Sequence, residues 1–388
     1  MTETTINFEY VAQLEAQLQG SPYYAVAEHT AALAKRALET ELVRLEENTT
    51  ENTTENTWTS HIKTLEWLVK LPTMSLTFET FKSVLTDANI ELVQLFLTVT
   101  DIDPSTDDNY AIRDASKNGH VDVVKVLLAD PRVDPSASDN YAILLASENG
   151  YTEVVKALLA VVNPSANDNY AICLASEYGH KDVVKALLAD PRVNPSAFDN
   201  YAIRIASEQG HTDVVKVLLA DPRLSPDKPD PSAFDNNAIR VASKNGHTDV
   251  VKVLLADPRV DPSADYNFAI RSASANGHLD VVKVLLADPR VDPSAKDNYA
   301  IRSASSNGHL DVVKVLLADP RTDPSACDNY AIGLASENGH TEVVKVLLAD
   351  PRVNPSACDN ELIRMASENG HTDVVKILLA DPRVEFVR

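Results

Sequence analysis

Three cysteines in 388 residues cannot build a disulfide framework, and so sparse a use of thiols points to a reducing compartment. Aromatic residues are scarce at 6%, so the core must be mainly aliphatic. Bases are outnumbered, 35 against 57 acids, for a formal net charge of −22. An acidic surface repels phosphate backbones and anionic lipid, which argues against nucleic acid and membranes as partners. The charge reads first as a source of solubility for an elongated chain. No apolar run approaches the roughly 18 residues a membrane span requires. The opening MTETTINFEYVAQL has neither the basic nor the apolar region of a secretory signal. An intracellular, cytoplasmic location is expected, with the nucleus also open, and the sequons at Asn48 and Asn52 are expected to stay unmodified.

Catalytic signatures are missing as well. The chain has no glycine-rich phosphate loop, no HExxH and no GxSxG, the spacings that cradle phosphates, hold zinc or raise a serine nucleophile. Carboxylates are so frequent that no single pair of them is informative. No catalytic, cofactor-binding or metal residues are expected, and the chain reads as a non-enzyme.

What is present is repetition. The string DNYAIR and its equivalents begin near 108, 139, 168, 199, 235, 266, 297, 328 and 359, at spacings of 31, 29, 31, 36, 31, 31, 31 and 31. In the unit starting at 297, Asp297 stands where an N-cap belongs, and a first helix is expected from about Asn298 to Ser306. Tyr299, Ala300, Ile301 and Ala304 form its apolar face. Asn307-Gly308 ends it, the glycine being free to turn left-handed. His309 and Asp311 open a second helix, whose buried stripe is Val312, Val313, Leu316 and Leu317. Pro320 and Pro324 stop it and force an extended crossing loop. A unit this small buries too little surface alone, so stacking on its neighbours follows from the pattern.

The recurring NGHLDVVKVLLA of 307–318 resembles the second-helix segment of the ankyrin repeat family. The resemblance covers about 108–388 and implies an all-α fold: an ankyrin-type α-solenoid of helix-turn-helix repeats with proline-containing loops. Two features depart from the family. YAIRSA at 299–304 replaces its T-P-L-H-x-A, and DPRTDP at 319–324 replaces its usual loop, within a period of 31 rather than about 33. Such variants resemble repeat arrays of amoebae and their large DNA viruses.

Counting back one period finds a degenerate capping unit at 77–107, with Phe81 matching Ile112, Val84 matching Ala115 and Leu97 matching Leu128. The solenoid is therefore assigned to 76–388. Residues 1–75 read as an N-terminal helical segment with a flexible ENTT-rich loop at 47–57, serving either as a helical cap or as a separate docking module.

A histidine recurs at one repeat position, from His120 to His371. Equivalent atoms in stacked helices lie roughly 10 Å apart, whereas zinc ligands converge at about 2 Å. The histidines are therefore expected to bond local backbone. The same spacing exceeds the reach of a disulfide, so no bridge is expected between Cys327 and Cys358, and Cys173 is expected to be buried. The arginines Arg204, Arg240, Arg271, Arg302 and Arg364 are expected to pair with aspartates of neighbouring units, and the aliphatics one place further along to be core.

Function in a regular array should sit where units differ. The resemblance implies binding through loop tips and the inner helix face. Phe198 and Phe234 occupy tip positions; Tyr178 and Gln209 replace the usual asparagine before glycine; and the loop 221–233, lengthened by the only insertion, contains Leu224 and Lys228. These six residues are the candidate partner-binding patch. The expected function is a monomeric, non-catalytic scaffold for a protein partner. The alternative is an adaptor whose N-terminal helices dock a larger complex while the repeats select its target.

Overall fold

The computed structural model describes residues 78–86, 88, 90–223 and 233–384. The assignments made for 1–75, the loop at 47–57 and the insertion at 224–230 lie outside the described residues. Twenty helices in consecutive pairs, and no strand, occur among them. The fold is thus the all-α array of helix-turn-helix repeats, and the shortened loops fold as turns rather than β-hairpins. No described helix is long and apolar enough to cross a membrane.

The chain divides into two compact units, Met1–Asn163 and Pro164–Arg388. The described part of the first holds three helix pairs, opening with Phe78–Thr86 and Ile90–Val99. That opening pair carries a more aromatic core than the rest: Phe81 and Phe96 are buried and stack with centroids 6.0 Å apart. The second unit holds seven pairs, from Ala166–Glu177 and Lys181–Leu188 to Ala357–Glu368 and Thr372–Ala380. Within it, first helices pack on first helices and second on second.

In the 297 repeat, Ala300, Ile301 and Ala304 of the first helix, and Val312, Val313 and Leu316 of the second, are at most 1% exposed. Each large aliphatic contributes about 1.5–3 kcal/mol through that burial. Leu317 is half-buried, and Tyr299 is 40% exposed. Tyr299 therefore belongs to the surface of the first helix and not to its apolar face. The serine after this alanine, Ser305, is fully buried too, as are its counterparts from Ser116 to Ser336, whereas Ser367 of the last repeat is exposed.

The entry to the first helix departs from a side-chain cap. Lys296, Asp297 and Asn298 take φ of 54°, 54° and 56°, one left-handed turn before the right-handed helix. The same three positions do so at Asp107, Ser138, Asn167, Phe198, Asp265 and Cys327 and the two residues after each. Left-handed backbone costs most residues roughly 1–2 kcal/mol, and aspartate and asparagine least. That preference explains why Asp-Asn recurs there. Asp297 lies inside that turn, and Ser294, which precedes the helix, makes no side-chain capping hydrogen bond. The turn is closed instead by the Asn298 amide donating to the Ser294 carbonyl at 2.7 Å.

Candidate functional site

Three polar contacts recur between neighbouring repeats within the two units. The first is the buried asparagine that ends the left-handed turn. Asn298 Oδ1 accepts the Asp323 amide of the following loop at 2.7 Å. The same bond recurs at Asn267 with Asp292 and at Asn329 with Asn354. In the first unit, Asn109 bonds Asp134 in this way, but Asn140 Oδ1 is buried without a partner. The following loop is the one shortened at 160–162, so the deletion coincides with the orphaned acceptor.

The second contact is the arginine of the Asp-Pro-Arg turn. Arg321 grips Asp319 with Nε and Nη2 at 2.9 and 2.6 Å. It then donates to the Val291 and Leu286 carbonyls of the preceding repeat at 2.8 and 2.9 Å. Leu286 ends the preceding second helix, so the guanidinium caps a neighbour's orphan carbonyls. Arg223, Arg290, Arg352 and Arg383 repeat the arrangement. The arginine bond holds Asp319 below the usual carboxylate range and raises Arg321 in turn.

The third is the histidine. His309 Nε2 donates to the Ala275 carbonyl at 3.0 Å, and His340 Nε2 to the Ser306 carbonyl at 2.9 Å. Both acceptors lie in the repeat before, not in the local backbone. Among the described residues no cluster of histidine, cysteine, aspartate or glutamate could hold a metal ion. Cys173 is buried, and burial with the nearby Glu177 charge pushes its thiol up to about 12. Cys327 is exposed and unbridged.

The candidate residues separate on this frame. Tyr178 follows the end of the helix Ala166–Glu177, 50% exposed, with its ring 6.4 Å from that of His180. Gln209 closes the helix Ala197–Gln209 and is exposed. Phe198 stands at the other end of that helix, in the left-handed turn, and is 50% exposed. The right-handed residues 201–209 put about 13 Å of helix between Phe198 and Gln209. Leu224 and Lys228 lie outside the described residues, as does the side chain of Phe234.

The arginines of the first helices differ from the expected aspartate pairing. Arg240 does reach an aspartate of the next repeat, Asp265 at 3.1 Å. Arg271 donates to the Tyr266 and Asp265 carbonyls of its own turn. Arg302 points Nη1 at Cys327 Sγ, 3.1 Å away. Arg364 is held by Glu361 and Glu368 on its own helix. What joins these arginines across repeats is aromatic. Arg240 lies 4.5 Å over Phe268, Arg271 between Phe268 and Tyr299, and Arg302 between Tyr299 and Tyr330. Among the aliphatics one place on, Leu145, Leu174 and Ile205 are buried at 9%, 9% and 8%, while Val241, Leu334 and Met365 are half-buried.

Sequence reasoning missed the arginine clamp and the arginine-aromatic row. The signal for the clamp was the recurrence of Asp-Pro-Arg after the second helix in every full repeat but the one shortened at 160–162. The signal for the row was the three-residue spacing of Tyr299 and Arg302, which share one helix face.

A family model for ankyrin repeats in three copies matches residues 112–199, 143–230, 203–297 and 300–386. No curated protein matches the chain.

Proposed function

The chain belongs to the ankyrin repeat family, and from that premise we propose that it is a non-catalytic scaffold that holds a protein partner on its first helices and loop tips. Ankyrin repeats are protein-interaction modules, and the pattern of exposure supports that role here. The cross-repeat contacts use the same residue types in repeat after repeat, as a frame requires. Within the second unit, exposed aromatic side chains instead decorate the first-helix face and the turn before it: Tyr170, Phe198, Tyr266, Tyr299 and Tyr330 are 37% to 66% exposed. This row carries the reading, because rings fixed on a rigid backbone present contact area at little entropic cost.

The loop tips add variety. The residue opening the left-handed turn is Asp107, Ser138, Asn167, Phe198, Asp265, Lys296 or Cys327, exposed in every case. We assign Phe198 and Phe234 to the tip edge of the binding surface, and Tyr178 and Gln209 to its opposite edge. Leu224 and Lys228 belong with the tips by sequence position.

The test uses the full chain as bait in extracts of its source cells, with captured proteins identified by mass spectrometry and their affinity measured on purified material. Replacing Phe198 and Phe234 together by alanine is expected to weaken the captured partner about tenfold or more, as loss of an aromatic anchor does. Wild-type affinity in that variant and in Tyr299→Ala would remove this face as the binding surface.

A further inference from the structure

The row of arginines and rings in the second unit has a composition that specifies its ligand. It runs Arg240, Phe268, Arg271, Tyr299, Arg302, Tyr330, with successive cation-to-ring distances of 4.5, 5.6, 5.4, 5.8 and 5.6 Å. It is bounded at both ends by substitution. Asn237 stands where a ring would precede Arg240, and Gly333 where an arginine would follow Tyr330.

The residue one helical turn beyond each arginine matters most. In the other repeats of the second unit this place is held by Glu177, Glu208, Glu337 or Glu368, and in the first unit by Glu148 or, beyond Arg113, by Lys117. In the case of Arg364 the glutamate closes on the guanidinium at 2.8 Å. Beyond Arg240, Arg271 and Arg302 the same place holds Lys244, Ala275 and Ser306. Three successive repeats have thus lost the acid that would quench the arginine. Among the described residues, neither Arg271 nor Arg302 pairs with a carboxylate, while Arg240 has Asp265 at 3.1 Å. Lys296 adds a further cation at the tip, 3.8 Å over the Tyr266 ring. The acids nearby are Asp265 and the exposed Asp297 and Asp328 of the turns. In a chain of net charge −22, this is a local cluster of cations interleaved with rings, two of its arginines being without a carboxylate partner among the described residues.

We infer that this stripe binds an acidic peptide segment in the polyproline II conformation, with a carboxylate at every third residue. The inference rests on the reading of the first-helix face as the binding surface, and it names that surface's partner. Charge complementarity selects the carboxylates. The repeat sets their spacing: stacked helices stand about 8–10 Å apart, and three residues of polyproline II advance about 9.3 Å while returning to the same side. A β-strand advances a similar distance but turns its third residue to the opposite face. The rings between the arginines are the platforms that proline-rich segments dock on. A nucleic-acid strand meets the same arginines only against the repulsion of the whole acidic chain.

The experiment is fluorescence anisotropy on the full chain, with a labelled synthetic peptide in which Glu-Pro-Pro repeats three times. The comparison peptides are Lys-Pro-Pro repeated three times and an isomer with its three glutamates adjacent; an unlabelled oligothymidylate competes. The variants are Arg271→Gln, Arg302→Gln and, away from the stripe, Arg364→Gln, each checked by circular-dichroism melting. Wild type and Arg364→Gln are expected to bind the Glu-Pro-Pro peptide equally. Arg271→Gln and Arg302→Gln should each weaken it about tenfold, as loss of one partner of a charge pair does. The adjacent isomer should bind less well, and added salt should weaken all of them. No binding to wild type, equal binding by the stripe variants, equal binding of the lysine peptide, or tighter binding of the oligonucleotide would each overturn the proposal. If Arg271→Gln does not fold, Arg302→Gln and the salt dependence of wild type decide it. Partners captured equally by wild type and by the stripe variants, but lost with Phe198→Ala, would leave the scaffold reading standing and this one overturned.

Discussion

The ring of His309 occupies the space in which a side chain on Gly277 would begin. A Cβ on that glycine would lie 2.6 Å from His309 Nδ1, while Nε2 of the same ring bonds the Ala275 carbonyl at 3.0 Å. The glycine also has φ of +77°. Two separate reasons therefore demand glycine at one position, and the chain contains a control that separates them. Gly370 has nearly the same φ, +75°, but nothing lies within 4 Å of its Cβ direction.

Alanine at Gly370 is expected to cost about 1 kcal/mol from backbone strain alone. Alanine at Gly277 should cost that and the displacement of the histidine ring with its hydrogen bond, a further 1–2 kcal/mol or so. Urea denaturation of the two variants measures the difference. In a double-mutant cycle with His309→Ala, the excess at Gly277 should largely vanish.

Arg321 should be hard to replace. It satisfies two carbonyls of the preceding repeat and grips Asp319 at once. Arg321→Ala is expected to destabilise by about 1–3 kcal/mol, and Arg321→Lys to recover little, since an ammonium lacks the planar fork. Hydrogen exchange should show the loss of protection concentrated at the end of the helix Leu279–Leu286 and its following loop.

Asn298 and Asn140 hold the same left-handed position with different consequences. Asn298 Oδ1 carries the bond from the Asp323 amide, and Asn140 Oδ1 has no partner. Asn298→Gly is expected to cost about 1 kcal/mol, because it removes a part-buried hydrogen bond from the Asp323 amide. Asn140→Gly should be near neutral, as glycine takes the backbone conformation without strain. Thermal and urea midpoints of the two variants give the comparison. Near-equal losses would show that the backbone conformation, not the bond, sets the requirement.

The buried serines point in the stabilising direction. Ser274, Ser305 and Ser336 are fully buried, and their hydroxyls have no hydrogen-bond partner. Ser305→Ala is expected to raise stability by about 1 kcal/mol, by removing an unsatisfied hydroxyl from a close-packed contact. A fall in the urea midpoint would contradict it.

Acid should loosen the array through its arginine clamps. Asp130, Asp190, Asp221, Asp257, Asp288, Asp319, Asp350 and Asp381 are held below the usual range by hydrogen bonds from the arginine two residues on. A carboxylate lowered in the folded state contributes its full stabilisation above the unfolded value of about 3.9. The contribution is lost as pH falls from there through the folded values. Urea midpoints should therefore fall with pH below about 4, and less steeply in Asp319→Asn, which has one such group fewer. An unchanged slope in that variant would exclude Asp319 from the acid response.

The helix pairs, their period and their turns were legible because their causes are local. Apolar residues at helical spacing, glycine at a left-handed corner and proline after a helix act within a few residues. The first-helix entry was misread because asparagine and aspartate suit both an N-cap and a left-handed turn. The candidate patch was chosen by deviation from the repeat, a signal that says nothing about which end of a helix a residue occupies. Phe198 and Gln209 accordingly fell at opposite ends of one.

Sequence by itself determined what each repeat is, including which of its faces is apolar. The tertiary structure decided to whom each polar side chain belongs. In a periodic chain every partner exists in every copy. Nothing local distinguishes Arg321 bonding its own repeat from Arg321 reaching Leu286, or His309 from its bond to Ala275. The stacking register makes that choice. It sets the second helix of one repeat with its orphan carbonyls beside the next repeat's guanidinium, and it threads Arg240, Arg271 and Arg302 between rings of successive units.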